Sequence, residues 1–489
     1  MRKRFELKIV TGLMLLALVI LPISSFVPTA LASVAASVSA AVSTFAYTQN
    51  MHPMGFSARG NTTSPFTANS DIAFWGNYAY HGNYDGFRTI DISAPANPVE
   101  VIDYRDCAGN QGDVIVWGNI LVRSWNSPAP AGATCDGEPV LPGVFPGGWE
   151  GLHVFDVSDP TDPDLVASVE TLCGSHTATG VPDLANNRLL VFNSPSAGAC
   201  PGIDIVEVPL SDPASASYLR FEPAGRSCHD TGVILGNANL VACAGGNGFT
   251  VWSTNPADGG SLEDPMQLYS RSITGVSIGH SASFTWDGNV LIFGHEPGGG
   301  GQAQCQATSS VTNRSLFFFE ARTGTLLGTF VHPRPQTNTE NCTWHNFNVL
   351  ATDKRYVLFA GNYQSGISVV DFTNPASAYE AAYADPAPLS PTSLILGGDW
   401  SSYWYNGFIY ESDITRGFIT WNMSDNVVAG AMRFDHLNPQ TQEASFPFKG
   451  TAFGTYRAAA DQLGSIVFGE SLPGDVSGGA GGGEDFGGE

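Results

Sequence analysis

The segment between residues 86 and 98 reads Gly86-Phe-Arg-Thr-Ile-Asp-Ile-Ser-Ala-Pro-Ala-Asn-Pro98. It starts with glycine, continues through β-favouring residues and ends in a proline-containing turn, which is typical of a short strand in a hairpin. A second segment places Gly, Asp, Ser and Pro at the same spacing and reads Gly151-Leu-His-Val-Phe-Asp-Val-Ser-Asp-Pro160. The shared spacing indicates a repeat rather than an isolated strand.

Another strand-like run precedes each of these segments. In the first two copies it reads Ser70-Asp-Ile-Ala-Phe-Trp-Gly76 and Gly112-Asp-Val-Ile-Val-Trp-Gly118. Weaker copies bring the number to seven, and their second halves begin at Gly202, Gly248, Ser315, Gly366 and Gly417. Each copy holds about four β-rich runs separated by Gly-Asn, Asp-Gly, Asn-Gly or Pro turn signals.

A four-stranded unit of about 40–50 residues cannot bury both of its faces alone, so the units must stack on one another. Radial stacking predicts an all-β fold: a single β-propeller of about seven four-stranded blades. An array of β-sandwiches is the alternative, and the absence of linker-like gaps between the copies disfavours it.

The copies at Gly86–Pro98, at Gly151–Pro160 and at Gly366–Pro375 resemble the LVIVD repeat of extracytoplasmic bacterial and archaeal β-propellers. The resemblance extends over about residues 66–435 and is degenerate in the other copies. It implies a propeller fold and a site outside the cytoplasm, but no particular reaction.

The N-terminal end of the chain predicts a signal peptide, and the C-terminal end predicts a disordered tail. Residues 1–32 have a basic start, an apolar run and a small-residue cleavage site, as a signal peptide does. An uncleaved membrane anchor is the alternative, and no later segment is apolar enough to span a membrane. Residues 33–65 are expected to lead into a propeller at 66–470, and the Gly-rich residues 471–489 are expected to be disordered.

Composition limits the possible partners. The formal net charge of −24 disfavours a nucleic-acid partner, because a surface that binds phosphate needs cations. Nucleophile-elbow, Walker and His-Glu-x-x-His motifs are absent from the sequence. The expected partner is therefore a protein, a glycan or a component of the cell envelope, reached in a secreted or cell-surface location.

The chain has 8 cysteines, and the repeat register places them all in loops on one face of the propeller. Sequential pairing is then reasonable. The predicted disulfides are Cys107–Cys135, Cys173–Cys200, Cys228–Cys243 and Cys305–Cys342. They either hold a functional face rigid or only protect long loops, and the sequence leaves both interpretations open.

Histidine recurs at one repeat position, the start of the first strand. The copies concerned carry His176, His229, His280 and His345, and the seventh copy is aligned with Asp399 at this position. First strands surround the central channel of a propeller, so these side chains are expected at one mouth of the channel. Glu296 lies in a loop on the same face and is a further candidate ligand or an outer-sphere carboxylate.

Imidazole and carboxylate ligands suit Zn, Fe, Cu, Ni or Mn. The interpretations left open are a metal site, histidines that only bond neighbouring blades, and a polar pocket without metal. The corresponding functions are a binding scaffold, a metal-dependent enzyme (an oxidoreductase or a hydrolase) and a structural envelope protein. The leading hypothesis from the sequence is the binding scaffold, with a possible metal site formed by the histidines.

Overall fold

A computed structural model describes residues 37–59, 68–140, 142–145, 147–196 and 198–449. The predicted signal peptide (1–32) and the Gly-rich tail (471–489) lie outside these residues. Within them, no helix is long and apolar enough to cross a membrane. A short helical stretch covers residues 37–41. Six 3-10 turns follow, at Leu184–Asn186, Pro213–Ser215, Pro256–Asp258, Thr312–Arg314, Pro375–Ser377 and Asn426–Val428.

The strands come in groups of four along the chain, after β1 (Ala46–Tyr47) and β2 (Met51–Ala58). Blade 1 contains β3 (Asn69–Trp75), β4 (Tyr78–Asn83), β5 (Gly86–Asp91) and β6 (Val99–Tyr104). Blade 2 contains β7 (Val114–Trp117), β8 (Ile120–Trp125), the inserted hairpin β9 (Thr134–Cys135) and β10 (Glu138–Pro139), then β11 (Gly151–Asp156) and β12 (Asp164–Glu170). Blade 3 contains β13 (Ala178–Asp183), β14 (Arg188–Asn193), β15 (Gly202–Pro209) and β16 (Ser217–Pro223).

The second half of the chain continues the pattern. Blade 4 contains β17 (Asp230–Ile234), β18 (Leu240–Gly245), β19 (Gly248–Ser253) and β20 (Met266–Ser272). Blade 5 contains β21 (Gly279–Phe284), β22 (Val290–His295), β23 (Ser315–Glu320) and β24 (Leu326–Val331). Blade 6 contains β25 (Asn346–Val349), β26 (Val357–Gly361), β27 (Ile367–Asp371) and β28 (Tyr379–Asp385). Blade 7 contains β29 (Asp399–Tyr405), β30 (Phe408–Asp413) and β31 (Gly417–Met423), and the strands β32 (His436–Leu437) and β33 (Thr441–Gln442) follow it.

The N-terminal strand β2 closes the ring. It pairs antiparallel with β31 and so supplies the fourth, outer strand of blade 7. With β2 in place, the described residues form seven four-stranded antiparallel units. The predicted N-terminal extension (33–65) therefore contributes to a blade instead of only leading into one. Strand β1 adds to the outer edge of blade 6 by pairing with β28.

Each interface between neighbouring blades has its own hydrophobic cluster. The cluster between blades 7 and 1 joins Phe74 to Tyr403, Tyr410 and Phe418, all of them buried. Apolar residues alternate along the strands, so one set faces each neighbouring blade. These interface clusters follow one another around the ring, and in a propeller they replace a single central core.

The segment at residues 432–449, here called the C-terminal strap, crosses the channel at the face opposite the strand starts. Strand β32 pairs with β3, and β33 pairs with β17. Asn438 exchanges two hydrogen bonds with the backbone of Val116, at 2.8 and 2.9 Å. Thr441 donates to the carbonyl of Gly180 at 2.7 Å. The strap thus contacts the far ends of first strands from several blades and closes this end of the channel.

Candidate functional site

Four histidines lie side by side where the first strands of blades 3 to 6 begin. The ring centroids of His176 and His229 are 4.2 Å apart, those of His229 and His280 are 3.9 Å apart, and those of His280 and His345 are 4.2 Å apart. The repeat places each imidazole at the start of a first strand, and first strands surround the channel. The four residues therefore form one continuous arc at one end of the channel, here called the mouth.

The Nδ1 atom of every one of these histidines has an oxygen partner. His176 Nδ1 lies 3.0 Å from Asn126 Oδ1, His229 Nδ1 3.2 Å from Asp230 Oδ1, His280 Nδ1 2.6 Å from Ser281 Oγ, and His345 Nδ1 2.6 Å from the carbonyl oxygen of Trp400. A carbonyl oxygen accepts only, so His345 must donate from Nδ1. Asp230 also lies 3.4 Å from His280 Nδ1 through its other oxygen. These contacts favour the Nδ1–H tautomer and leave the Nε2 lone pairs unprotonated.

Two of the Nε2 atoms are close together. His176 Nε2 and His229 Nε2 are 2.9 Å apart. If both rings are protonated on Nδ1 and neutral, no proton lies between these atoms and their lone pairs face each other. Two ligands at about 2.1 Å from one metal ion and at right angles are about 3 Å apart. The separation therefore suits two ligands of a shared cation.

Burial keeps the imidazoles neutral. It lowers the pKa of His176, His229 and His345 to about 3. The pKa of His280 is lowered well below its usual value by burial and by the neighbouring histidines. Neutral imidazole is the form that binds a metal, so these side chains are ready to act as ligands at ordinary pH.

A carboxyl group and a phenol complete the mouth. Tyr363 donates a hydrogen bond of 2.5 Å to Glu296 Oε1, and the same oxygen lies 3.6 Å from His345 Nε2. Burial raises the pKa of Glu296 to about 8, against the opposing effect of the Tyr363 bond. Ligand atoms of His229, His280 and Glu296 all lie within 4.8 Å of one another. The structure thus brings Glu296 together with the four histidines.

The mouth opens into a cavity of about 400 Å³. Its walls include the aromatic residues Tyr84, Tyr363 and Trp400, and its floor includes Gln440 of the C-terminal strap. The acidic lining residues are Asp71, Asp113, Asp230 and Glu296. No lysine or arginine is among the described residues that line the cavity. Because the strap closes the opposite end, the cavity has one entrance.

Asp399 does not line this cavity. The parallel pairing of Asn346 with Ser401 places Trp400, and not Asp399, level with His345. A register shift between Asp399 and Ser401 causes the difference of one residue. Asp399 instead accepts a hydrogen bond from Ser402 at 2.6 Å, and its other carboxylate oxygen lies near Gly361 of blade 6.

All four predicted disulfides are confirmed: Cys107–Cys135, Cys173–Cys200, Cys228–Cys243 and Cys305–Cys342. Two of them lie next to buried histidines, His153 and His332. A cysteine sulfur binds a metal as a thiolate, and a sulfur in a disulfide bond is not a thiolate. These two groups are therefore not metal sites, and every described cysteine has a structural role.

Sequence reasoning missed the residues that orient the histidines. Asp230 contacts two of them, and Tyr363 and Trp400 line the cavity beside them. One signal for Asp230 was its repeat position, which Asp71 and Asp113 share. Its place directly after His229 argues against a shared site, because adjacent residues of a regular strand point to opposite faces. His229 precedes β17, which begins at Asp230, so this alternation does not apply to the pair.

The fold and the ring of first strands define an all-β protein, a β-propeller. Within it the chain carries LVIVD repeats, which the family model matches at residues 68–106 and 147–171. LVIVD repeats are associated with β-propeller proteins. No curated protein matches this chain.

Several solved structures are similar to this chain at low sequence identity. The computationally designed Ika8 protein is 12% identical, with a TM-score of 0.43, and the match covers 76% of this chain and 100% of that one. The β-propeller domain of Myceliophteria thermophila Cps50 (Swd1) is 12% identical, with a TM-score of 0.44, over 75% of this chain and 99% of that one. The C-terminal WD40 domain of Sif2 is 10% identical, with a TM-score of 0.41, over 75% and 85%.

Proposed function

We propose that this protein is an extracytoplasmic propeller that binds one transition-metal ion at the mouth and acts there on a small molecule. His176, His229, His280 and His345 are the ligands, and Glu296 is a further ligand or a proton-carrying neighbour. The observation that carries the proposal is the 2.9 Å contact between two Nε2 atoms whose rings are held in the Nδ1–H form. A shared cation accounts for that contact, whereas burial disfavours an imidazolium.

The residues around the arc fit a metal centre. Metal-bound histidines commonly donate their other N–H to a carboxylate or a carbonyl, as His229 does to Asp230 and His345 does to Trp400. Four nitrogen ligands suit Zn, Fe, Cu, Ni or Mn. When bound, such an ion supplies Lewis-acid or redox chemistry, according to its identity. Tyr363 and Glu296 hold an exchangeable proton at the edge of the arc, and the single entrance limits access of water.

Export is part of the proposal. The N-terminal residues 1–32 have the pattern of a signal peptide. The four disulfides are bonds that persist in oxidising compartments. A secreted or cell-surface location accommodates both features.

Metal analysis by mass spectrometry tests the proposal on mature protein that has been exported and oxidised. We expect about one transition-metal ion per chain, and we expect the His229→Ala/His280→Ala variant to lose it because two ligands are removed. The control is His52→Ala, since His52 is exposed and bonds only Ser424 within the described residues. Wild-type protein that holds no metal, even after incubation with Zn, Fe, Cu, Ni and Mn, contradicts the proposal. The protein would then be a metal-free binding propeller.

Asp230 has a separate expected effect. The Asp230→Ala variant removes the acceptor that orients His229, and also the acceptor of the Ser281 hydroxyl that bonds His280, but it keeps every ligand atom. We expect the dissociation constant of the metal to rise by about 10- to 100-fold. Competition with a chelator of known affinity measures the change. In Asp230→Asn the amide oxygen can still accept one N–H. Partial recovery of the metal affinity in this variant would separate the orienting effect of residue 230 from the effect of its charge. An unchanged metal affinity in Asp230→Ala would rule out this role.

A further inference from the structure

Three consecutive exposed apolar residues end at the wall of the cavity. Leu394, Ile395 and Leu396 are 40%, 43% and 48% exposed, and Leu396 also lines the cavity. The other exposed large apolar residues among those described are scattered singly. Single exposed apolar residues are ordinary, whereas a contiguous patch at a cavity marks a binding surface. We call these three residues the lip.

The lip is held in place by its backbone. The Gln364 side chain donates a hydrogen bond of 2.6 Å to the carbonyl oxygen of Ile395, and Glu340 forms a β-bridge with the same residue. The apolar side chains of the lip are thus presented on a supported segment. A surface held in this way loses little conformational entropy when a ligand covers it.

The cavity lining combines apolar and polar surface. Leu396 of the lip and the aromatic residues Tyr84 and Trp400 provide the apolar part, and the imidazoles and carboxyl groups provide the polar part. No basic residue among the described lining residues could pair with an anion. A carboxylate or phosphate ligand would therefore lose its hydration in the cavity without gaining a basic partner, and an unpaired charge is costly to bury.

We infer that the ligand is a neutral, amphipathic small molecule with an apolar body and one oxygen or nitrogen donor. Its apolar body lies against the lip and the aromatic walls, and its donor atom points to the histidine arc. This inference names a ligand class for the proposed metal centre, and to that extent it rests on the proposed function. The apolar contacts themselves require no metal.

Calorimetric titration of the metal-free, full mature protein tests the inference with two probes of the same shape. The first is 1-naphthol, which is neutral, and the second is 1-naphthoate, which is anionic. We expect naphthoate to bind at least about tenfold more weakly, because the cavity offers its carboxylate no basic partner. We expect the Ile395→Ser/Leu396→Ser variant to bind naphthol about tenfold more weakly, because it loses apolar contact area.

The control is Leu184→Ser, which removes an apolar side chain that is 63% exposed on a turn between β13 and β14. It is expected to bind naphthol like the wild type. Equal binding by the lip variant and the control would overturn the inference, and so would naphthoate binding as tight as naphthol binding. Lip-dependent binding to phosphatidylcholine vesicles without lip-dependent naphthol binding would also overturn it, since the lip would then contact membranes. A protein that holds metal but no naphthol keeps the proposed function and loses only this inference.

Discussion

The metal-free protein is expected to be most stable between about pH 4.5 and 6.5, with its free energy of unfolding falling on both sides. On the acid side the cause is the buried imidazoles. Five have a pKa of about 3: His153, His176, His229, His332 and His345. Because these values lie below the unfolded value of about 6.5, the unfolded chain binds more protons, and the stability from these groups is lost as pH falls.

Buried acids act in the opposite direction. Burial raises the pKa of Asp71 and Asp204 to about 6 and that of Glu296 and Glu411 to about 8. A raised pKa gives stability that is complete below the unfolded value and is lost as pH rises through the folded value. Between about pH 4.5 and 6.5 the stability that these acids lose as pH rises offsets the stability that the histidines gain. Above that range Glu296 and Glu411 still hold protons in the native state, as do Asp113 and Asp399, whose pKa burial raises well above its usual value.

Both limbs of the profile have an expected slope. Between about pH 4 and 3 the five imidazoles together remove roughly 5 kcal/mol, a large share of the stability of a typical domain. Between about pH 6.5 and 8 the two glutamic acids remove up to roughly 3 kcal/mol per pH unit, and the buried Asp113 and Asp399 add to this loss. The melting temperature of chelator-treated protein between pH 3 and 9 measures both limbs.

Glu411→Gln provides a matched variant for the alkaline limb. The amide oxygen can still accept the 2.7 Å bond from Trp421 Nε1, but the group no longer titrates. We expect the alkaline slope to become less steep and the acid limb to stay unchanged. A melting temperature that is constant from pH 4 to 8, or an alkaline slope as steep in Glu411→Gln as in the wild type, would contradict this assignment.

Deletion of residues 46–58 is expected to prevent formation of a folded monomer. This deletion removes β1 and β2, exposes the edge of β31, and uncovers the buried cluster around Trp421. An unpaired hydrophobic edge strand promotes association with other chains. Size-exclusion chromatography and circular dichroism should show aggregated or unfolded protein. A stable monomer with native circular dichroism would show that β2 is dispensable.

A single substitution in β2 tests the closure of the ring of blades with a smaller change than the deletion. A Cβ atom at Gly55 in β2 would lie 2.4 Å from the carbonyl oxygen of Pro95 and 2.5 Å from Pro98 Cδ, both in blade 1. We expect Gly55→Val to lower the free energy of unfolding by about 3 kcal/mol, because the backbone must shift to relieve the clash. Gly301→Val, where a Cβ atom meets nothing within 4 Å, serves as the control.

The repeat made much of this architecture predictable. Because the register assigns each residue to a strand or a face, it was sufficient to predict the four cysteine pairs and the placement of His176, His229, His280 and His345 at one end of the first strands. Residues that follow no repeat rule were not predictable. A register shift moved Asp399 out of the arc, and Asp230 takes part because β17 begins with it, directly after His229.

The strap was not foreseen for a related reason. Residues 432–449 have short strands whose partners lie on β3 and β17, far back in the sequence. Their polar side chains, such as Asn438 and Gln442, pair with backbone groups of inner strands. Periodicity within a segment reports its own secondary structure, and it carries no information on pairing of this kind.

Strand β2, which completes blade 7, also sets the order in which the protein can fold. His52 in β2 and Ser424 beside β31 bond each other across 372 positions of sequence. Strand β2 therefore receives its partner only when almost the whole chain is available, and contacts this distant slow the final folding step. A chain whose last blade has not yet been synthesised cannot close its ring. Interrupted translation would leave open arcs of blades with exposed edges, which are substrates for quality-control proteases.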